Sequence, residues 1–177
     1  INEGKDIYTL DFPLIAPRYR DAKKSYNWPK QNKFGEVPVL DKSIPIELTV
    51  INCLVSEKDR INKVANIDEY FPLRRSAEEK KLINEGDTNR PSFKRLHRYR
   101  FSPTTCYGNN EVHLHPYENR RISVREALRI QGVPDTYEFS KKISLTKKFK
   151  LIGNGVPVPL ARVVAESVFS LINNKKM

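Results

Sequence analysis

The stretch SVREALRIQGVP, Ser123–Pro134, marks a helix at both of its ends. Ser123 stands where an N-cap hydroxyl can take a first-turn amide, and Glu126, three residues on, completes a capping box. Gly132 and Pro134 then stop the helix. Val124, Leu128 and Gln131 fall on one stripe, while Arg125 and Arg129, four apart, share another. The same grammar recurs in SAEEKKLINEG, Ser76–Gly86, with Ser76 as cap, Glu79 closing the box and Gly86 as the stop. A third helix is expected after Gly155. There Leu160, Val163, Val164, Ser167, Val168 and Leu171 make an amphipathic stripe, and Lys175 and Lys176 follow at the negative end of the dipole.

Residues 1–75 carry no such pattern. Pro13, Pro17, Pro29, Pro38 and Pro45 interrupt any long helix there. IPIELTVINCLV, Ile44–Val55, reads as a strand because β-branched residues partly alternate along it. The expected fold class is therefore α/β, of the α+β kind. An irregular lobe with a few strands leads into C-terminal helices. At 177 residues the chain can bury one real core, or a core with an appendage.

The formal net charge of +11 points to a polyanion, nucleic acid first. From Arg90 to Arg129 the basic residues are Arg90, Lys94, Arg95, Arg98, Arg100, Arg120, Arg121, Arg125 and Arg129, against Glu111, Glu118 and Glu126. Arginine dominates, which suits forked recognition of phosphate or guanine. Nearer the start, Tyr19, Tyr26, Trp28 and Phe34 alternate with Arg18, Arg20, Lys23, Lys24 and Lys30. That pattern suits base stacking with phosphate contact, and equally an irregular domain with aromatic core. The two cysteines, Cys53 and Cys106, form no CxxC pair, so reduced thiols and a cytoplasmic setting are expected. His113 and His115 form an H-x-H with no third ligand nearby, and no metal is expected. No signal peptide pattern opens the chain, and no apolar run is read as spanning a bilayer. The first residue is Ile1, which suggests a removed start or a piece of something longer.

LIGNGVPVPLARVV, Leu151–Val164, holds two of the seven glycines around one asparagine. A Gly-Asn-Gly turn ahead of a helix would let backbone amides approach a ligand closely. It would equally serve as a plain helix start.

Three segments in order carry a resemblance: FSPTTCYGNN (Phe101–Asn110), HPYENRRISVREALRIQGVPD (His115–Asp135) and LIGNGVPVPLA (Leu151–Ala161). Over roughly Arg95 to Ile172 the chain resembles the C-terminal end of DNA cytosine-5 methyltransferases. The first segment resembles the close of the family's target-recognition region, the second its motif IX and the third its motif X. One departure is Leu151, where the family usually has glutamine. The family's F-x-G-x-G cofactor loop, P-C-Q nucleophile, E-N-V acid and Q-x-R-x-R motif have no counterpart here. Gln31 and Gln131 are the only glutamines, and neither adjoins a cysteine.

The resemblance implies a protein that binds duplex DNA, flips a cytosine out, attacks C6 with a cysteine thiolate and methylates C5 from S-adenosylmethionine. Residues 1–115 would be the target-recognition region. Residues 116–177 would be the motif IX and X helices, packing on an α/β methyltransferase core in the same longer chain or in a separate subunit. No catalytic residue is expected in this chain. Asn154 and Gly155 would line the cofactor pocket. Thr104 would hold a phosphate near the flipped base, with Thr105 in place of the family's leucine. Arg95, Arg98 and Arg100 would contact DNA. Arg121, Arg125 and Glu126 would brace the recognition region. A restriction-modification setting is the usual one for the family. Two alternatives stand beside this reading: a DNA-binding module that lost the chemistry, and a basic domain for RNA or protein with coincidental motifs.

Overall fold

The computed structural model describes residues 26–73, 77–105, 107 and 111–174. Ser76, Cys106, Lys175, Lys176 and the basic–aromatic residues before Tyr26 lie outside these. Every regular element among the described residues is helical. We name them α1 (Glu57–Ile61), α2 (Ala77–Lys80), α3 (Val124–Ile130), α4 (Leu145–Asn154) and α5 (Val158–Asn174).

The strand expected over Ile44–Val55 is not formed. Two short 3-10 turns, Ile46–Leu48 and Val50–Cys53, take its place. Pro45 begins the first turn, and the amides of Leu48 and Thr49 bond back to Pro45 and Ile46 rather than across to a neighbour. Thr49 Oγ1 reinforces this by donating to the Ile46 carbonyl at 2.6 Å. β-branched composition describes a half-buried surface, and local hydrogen bonds have overridden it here. The few strands expected of the first lobe are likewise absent among the described residues. Isolated bridges join Asn32 to Glu85, and Leu114 to both Arg95 and Arg121.

Helix α3 forms as its sequence dictates. Ser123 Oγ accepts from the Glu126 amide, and the Glu126 carboxylate accepts from the Ser123 amide at 2.7 Å. At the other end Gly132 has φ +72°. Its amide donates to the Arg129 carbonyl, and the Val133 amide reaches back to Leu128. That pair of bonds is a Schellman stop. The 76–86 helix is shorter than expected, with α2 ending at Lys80. Gly86 (φ +86°) does not stop it. A Cβ there would sit 2.6 Å from the Lys30 carbonyl, so Gly86 serves a close crossing of two loops.

The core draws on both sides of residue 115. Val50, Leu54, Leu96, Tyr107 and Val112 pack with Ile122, Val124, Leu128, Phe149 and Ile152. Phe149 is its centre, stacked on Phe71 at 5.3 Å and edge-on to Tyr107 at 5.6 Å. Phe149 and Ile152 are presented by α4, a helix the sequence reading did not assign. Its signal was there in the Ser144 cap and in Leu145, Phe149 and Ile152 at helical spacing.

The end of the chain behaves differently. Along α5 and the link before it, Val156, Val158, Leu160, Val164, Val168, Phe169 and Ile172 are all exposed. The stripe read from the sequence is real as a helix pattern, but only part of it is covered. By length and composition alone one window within Leu145–Asn173 is apolar enough to cross a membrane, although Lys147, Lys148, Lys150, Arg162 and Glu166 interrupt that span. Its backbone, however, leaves the helix between α4 and α5.

Candidate functional site

Gln131, the C-cap of α3, joins the three segments singled out in the sequence. Its Nε2 donates to Thr105 Oγ1 at 2.6 Å and to the Ile152 carbonyl at 2.9 Å. Its backbone carbonyl accepts from the Val158 amide at 2.9 Å. One residue thus binds Thr105 and the end of α4 through its side chain, and the start of α5 through its backbone. Two glycines allow this closeness. A Cβ on Gly153 would lie 2.8 Å from the Tyr107 amide and 3.2 Å from the Thr105 carbonyl, so α4 runs directly against the backbone of those two residues. A Cβ on Gly132 would lie 2.5 Å from Pro159. Gln131 and Gly153 were not singled out as site residues. Gln131 had shown only as an apolar-stripe position, and no local pattern marks a contact 26 residues away.

The turn at Asn154 and Gly155 differs from its sequence reading. Asn154 is the last residue of α4, and Gly155 is extended at φ −75°, a conformation any residue adopts. Few of the expected backbone amides are open to a ligand. Gly155 donates to Ile152, Val158 donates to Gln131, and Pro157 and Pro159 have no N–H. The exposed side chain of Asn154 is what remains, beside exposed Val156 and Val158.

The arginines expected on DNA divide sharply. Arg95 is fully buried. Its guanidinium donates to the carbonyls of Ile83, Lys80, His115 and Glu118, and lies over the Phe34 ring. Burial lowers its pKa to about 10. Arg98 is clasped by the fully buried Glu85, with Nη2 to Oε2 at 2.8 Å, and lies over Tyr117. The expectation that Arg95 and Arg98 reach a phosphate is therefore corrected: every guanidinium nitrogen of Arg95 is bonded inside the fold, and Arg98 is buried with its Nε and Nη2 on Glu85 and the Glu36 carbonyl. Arg100 is half-buried and donates to the Lys30 carbonyl. Thr105 is buried against Gln131, while Thr104 is exposed.

The motif IX residues form internal braces. Glu126 is fully buried and accepts from the Val55 amide, the Ser123 amide and both terminal nitrogens of Arg120. Burial alone would raise its carboxyl, but the Arg120 hydrogen bonds and charge outweigh that and hold it low. The partner of Glu126 is thus Arg120, which the sequence reading had not named as a site residue. Arg125 spends its guanidinium on the carbonyls of Ala65 and Tyr137, at 2.9 and 2.6 Å. Arg129, one turn on, forks onto Asp59 and Asp135. Arg121 is buried between the Phe93 and Phe71 rings, with a long bond to the Val112 carbonyl.

His113 and His115 do not converge. His113 packs edge-on to Tyr107, and His115 Nδ1 accepts from the Glu118 amide. Burial lowers both rings to about 4, so both are neutral near pH 7.

Three sequence segments are thus knit through one buried glutamine, and the helix that follows leaves with its apolar face uncovered. The chain belongs to the C-5 cytosine-specific DNA methylase family, whose profile matches residues 17–170. That match reaches well upstream of the motifs that carried the resemblance. The chain is similar to type II methyltransferase M.NmeDI of Neisseria meningitidis serogroup C, with 41% identity over 148 residues, covering 84% of this chain and 35% of that protein. It is also similar to type II methyltransferase M.DdeI of Desulfomicrobium norvegicum, at 34% identity over 121 residues, 61% of this chain and 29% of the relative. Type II methyltransferase M.Sau96I of Staphylococcus aureus is 42% identical over 59 residues, 33% of this chain and 13% of its own length. The chain thus spans about a third or less of each of these relatives.

Proposed function

We propose that this chain is the DNA-recognition and C-terminal portion of a cytosine-5 DNA methyltransferase, acting on duplex DNA in a restriction-modification setting. The observation that carries the reading is the uncovered apolar face of α5 and its approach, Val156, Val158, Leu160, Val164, Val168, Phe169 and Ile172. So contiguous an apolar surface marks an interface. A methyltransferase core with the catalytic cysteine is the partner that the family supplies, from the same longer chain or another subunit. Residues 1–115 then serve recognition and 116–177 complete the methyltransferase domain, although both share one core.

S-adenosylmethionine, when bound, supplies the methyl group. The residues present suit one wall of its pocket: the exposed Asn154 amide can donate and accept, and the neighbouring apolar surface of Val156 and Val158 can exclude water. Gly155 leaves that wall without a side chain. Thr104 is placed to meet DNA, and Gln131 and Thr105 hold the segment that carries it. Arg100 is the arginine of the original three with a donor near the surface.

The test combines the chain with a catalytic portion carrying the P-C-Q segment. Tritiated methyl transfer to duplex DNA is expected from the combination and not from the chain alone. Incorporation by the pure chain would overturn the division of labour. DNA binding by the chain should weaken with salt. About five phosphate contacts would give a slope of log affinity on log salt of roughly −4 to −5. A flat response would remove the electrostatic basis of the reading.

A further inference from the structure

The segment proposed to meet DNA and the turn proposed to meet the cofactor hang from one buried amide. Gln131 is 4% exposed and Thr105 is 8% exposed. The Gln131 side-chain nitrogen carries two hydrogens fixed in one plane. One is spent on Thr105 Oγ1 at 2.6 Å, the other on the Ile152 carbonyl at 2.9 Å with the Gly155 carbonyl at 3.5 Å. Chemistry sets which way the amide points, because both carbonyls only accept, and the turned amide would press its own oxygen against them. Oε1 is left buried without a partner, so the group is placed for its two donors. Thr105 stands where the resembled family has leucine, and leucine would offer Gln131 no acceptor. The clasp is therefore a feature of this chain.

Each end of the clasp adjoins a surface residue. Exposed Thr104 precedes Thr105, and exposed Asn154 lies two positions after Ile152 at the end of α4. The Gln131 carbonyl holds the Val158 amide at 2.9 Å, and Gly132 lies against Pro159, so the departure of α5 is set by the same residue and its neighbour. Gly153 presses α4 onto the Thr105 carbonyl and the Tyr107 amide, which leaves no slack between the two segments. Displacing Thr105 relative to α4 must rotate the planar amide or break one of its bonds.

We propose that Gln131 is a positioning residue that couples the two sites, tying the Thr104–Thr105 segment to the turn at Asn154 so that filling either site orders the other. The proposal rests on the methyltransferase reading above and deepens it. A ligand that fixes one end of a shared clasp leaves less for the second ligand to fix, and binding becomes cooperative without any large movement. The coupling is equal in both directions, so DNA tightens the cofactor by the factor by which the cofactor tightens DNA.

The experiment measures that factor in the longer enzyme that includes the catalytic portion. A labelled duplex carrying the site the enzyme methylates is titrated with and without saturating S-adenosylhomocysteine, which has no methyl group to give. In the wild type the cofactor product should tighten DNA binding by roughly five- to a hundredfold. Thr105→Val keeps the shape and removes the hydroxyl, and it should bring the factor close to unity while each ligand alone still binds. Gln131→Met should do the same. Thr105→Ser keeps an oxygen for Gln131 and should keep the factor. Ile122→Val trims the core without touching the clasp, so it should keep the factor despite its loss of stability. Thr105→Val carries the decision if Gln131→Met does not fold. A Thr105→Val enzyme with the wild-type factor overturns the proposal and leaves the methyltransferase reading standing. So does a wild type that binds both ligands with no coupling. A wild type that binds neither DNA nor the cofactor product brings down the reading itself, and the coupling with it.

Discussion

The Gln131 side-chain amide donates to Thr105 Oγ1 at 2.6 Å across 26 residues of chain, with both groups buried. The same nitrogen holds the Ile152 carbonyl, so a bond inside the threonine segment is also a bond to the wall beside the proposed cofactor pocket. Gln131→Met keeps the volume and removes both bonds. The Thr105 hydroxyl is then stranded, a loss of about 1–3 kcal/mol, partly offset because the unpartnered Gln131 Oε1 goes too. Urea unfolding of the variant against wild type measures it, and an unchanged midpoint would show that the bond is incidental.

Gly153 is expected to be the least replaceable glycine of its segment. An alanine Cβ would stand 2.8 Å from the Tyr107 amide, forcing α4 away from the core, whereas at Gly155 the nearest atom is the Ile152 carbonyl at 3.2 Å. Overpacking of this kind costs about 1–3 kcal/mol. Gly153→Ala should therefore lower the melting temperature clearly more than Gly155→Ala. The reverse order would place the close contact elsewhere.

Acid should destabilise the fold in two windows. Burial lowers His97, His113 and His115 to about 4, from an ordinary 6.5. Between those values the unfolded chain binds protons that the folded chain refuses, so stability should fall as pH drops from 6.5 to 4 and be flat above. The Asp59 carboxyl, hydrogen-bonded by Arg129, is lowered from 3.8. Its contribution is present above that value and is lost only at lower pH. Unfolding midpoints at pH 7.5, 6 and 5 test the first window, and a flat profile there would mean the imidazoles find solvent.

Asn154 should matter for the cofactor only in the presence of the catalytic portion. Asn154→Ala removes one or two hydrogen bonds, about 1–3 kcal/mol, or roughly five- to a hundredfold in affinity for S-adenosylmethionine. Because Gly155 is extended and not left-handed, Gly155→Val should act by crowding the wall and not by straining the backbone. Calorimetric titration of the longer enzyme decides this. Binding equal to wild type in both variants would leave the turn as a plain link between two helices.

What the sequence determined is local. The capping box and glycine stop of α3 involve residues within a few positions of one another, so their chemistry fully specifies the helix wherever it lies. The apolar period of α5 is of the same kind, and so is the family, carried by contiguous motifs. The fate of each charged or polar side chain was not local. Arg95 and Lys94 are neighbours of like charge, yet Arg95 is sealed by four carbonyls from distant segments while Lys94 faces a cleft. The segment Ile44–Val55 has strand composition but no partner strand among the described residues, and pairing is a property of two segments, not one. Burial, hydrogen-bond partners and the space behind a glycine exist only once the chain has closed on itself. Only the tertiary structure could therefore separate the side chains that brace the fold from those left at the surface.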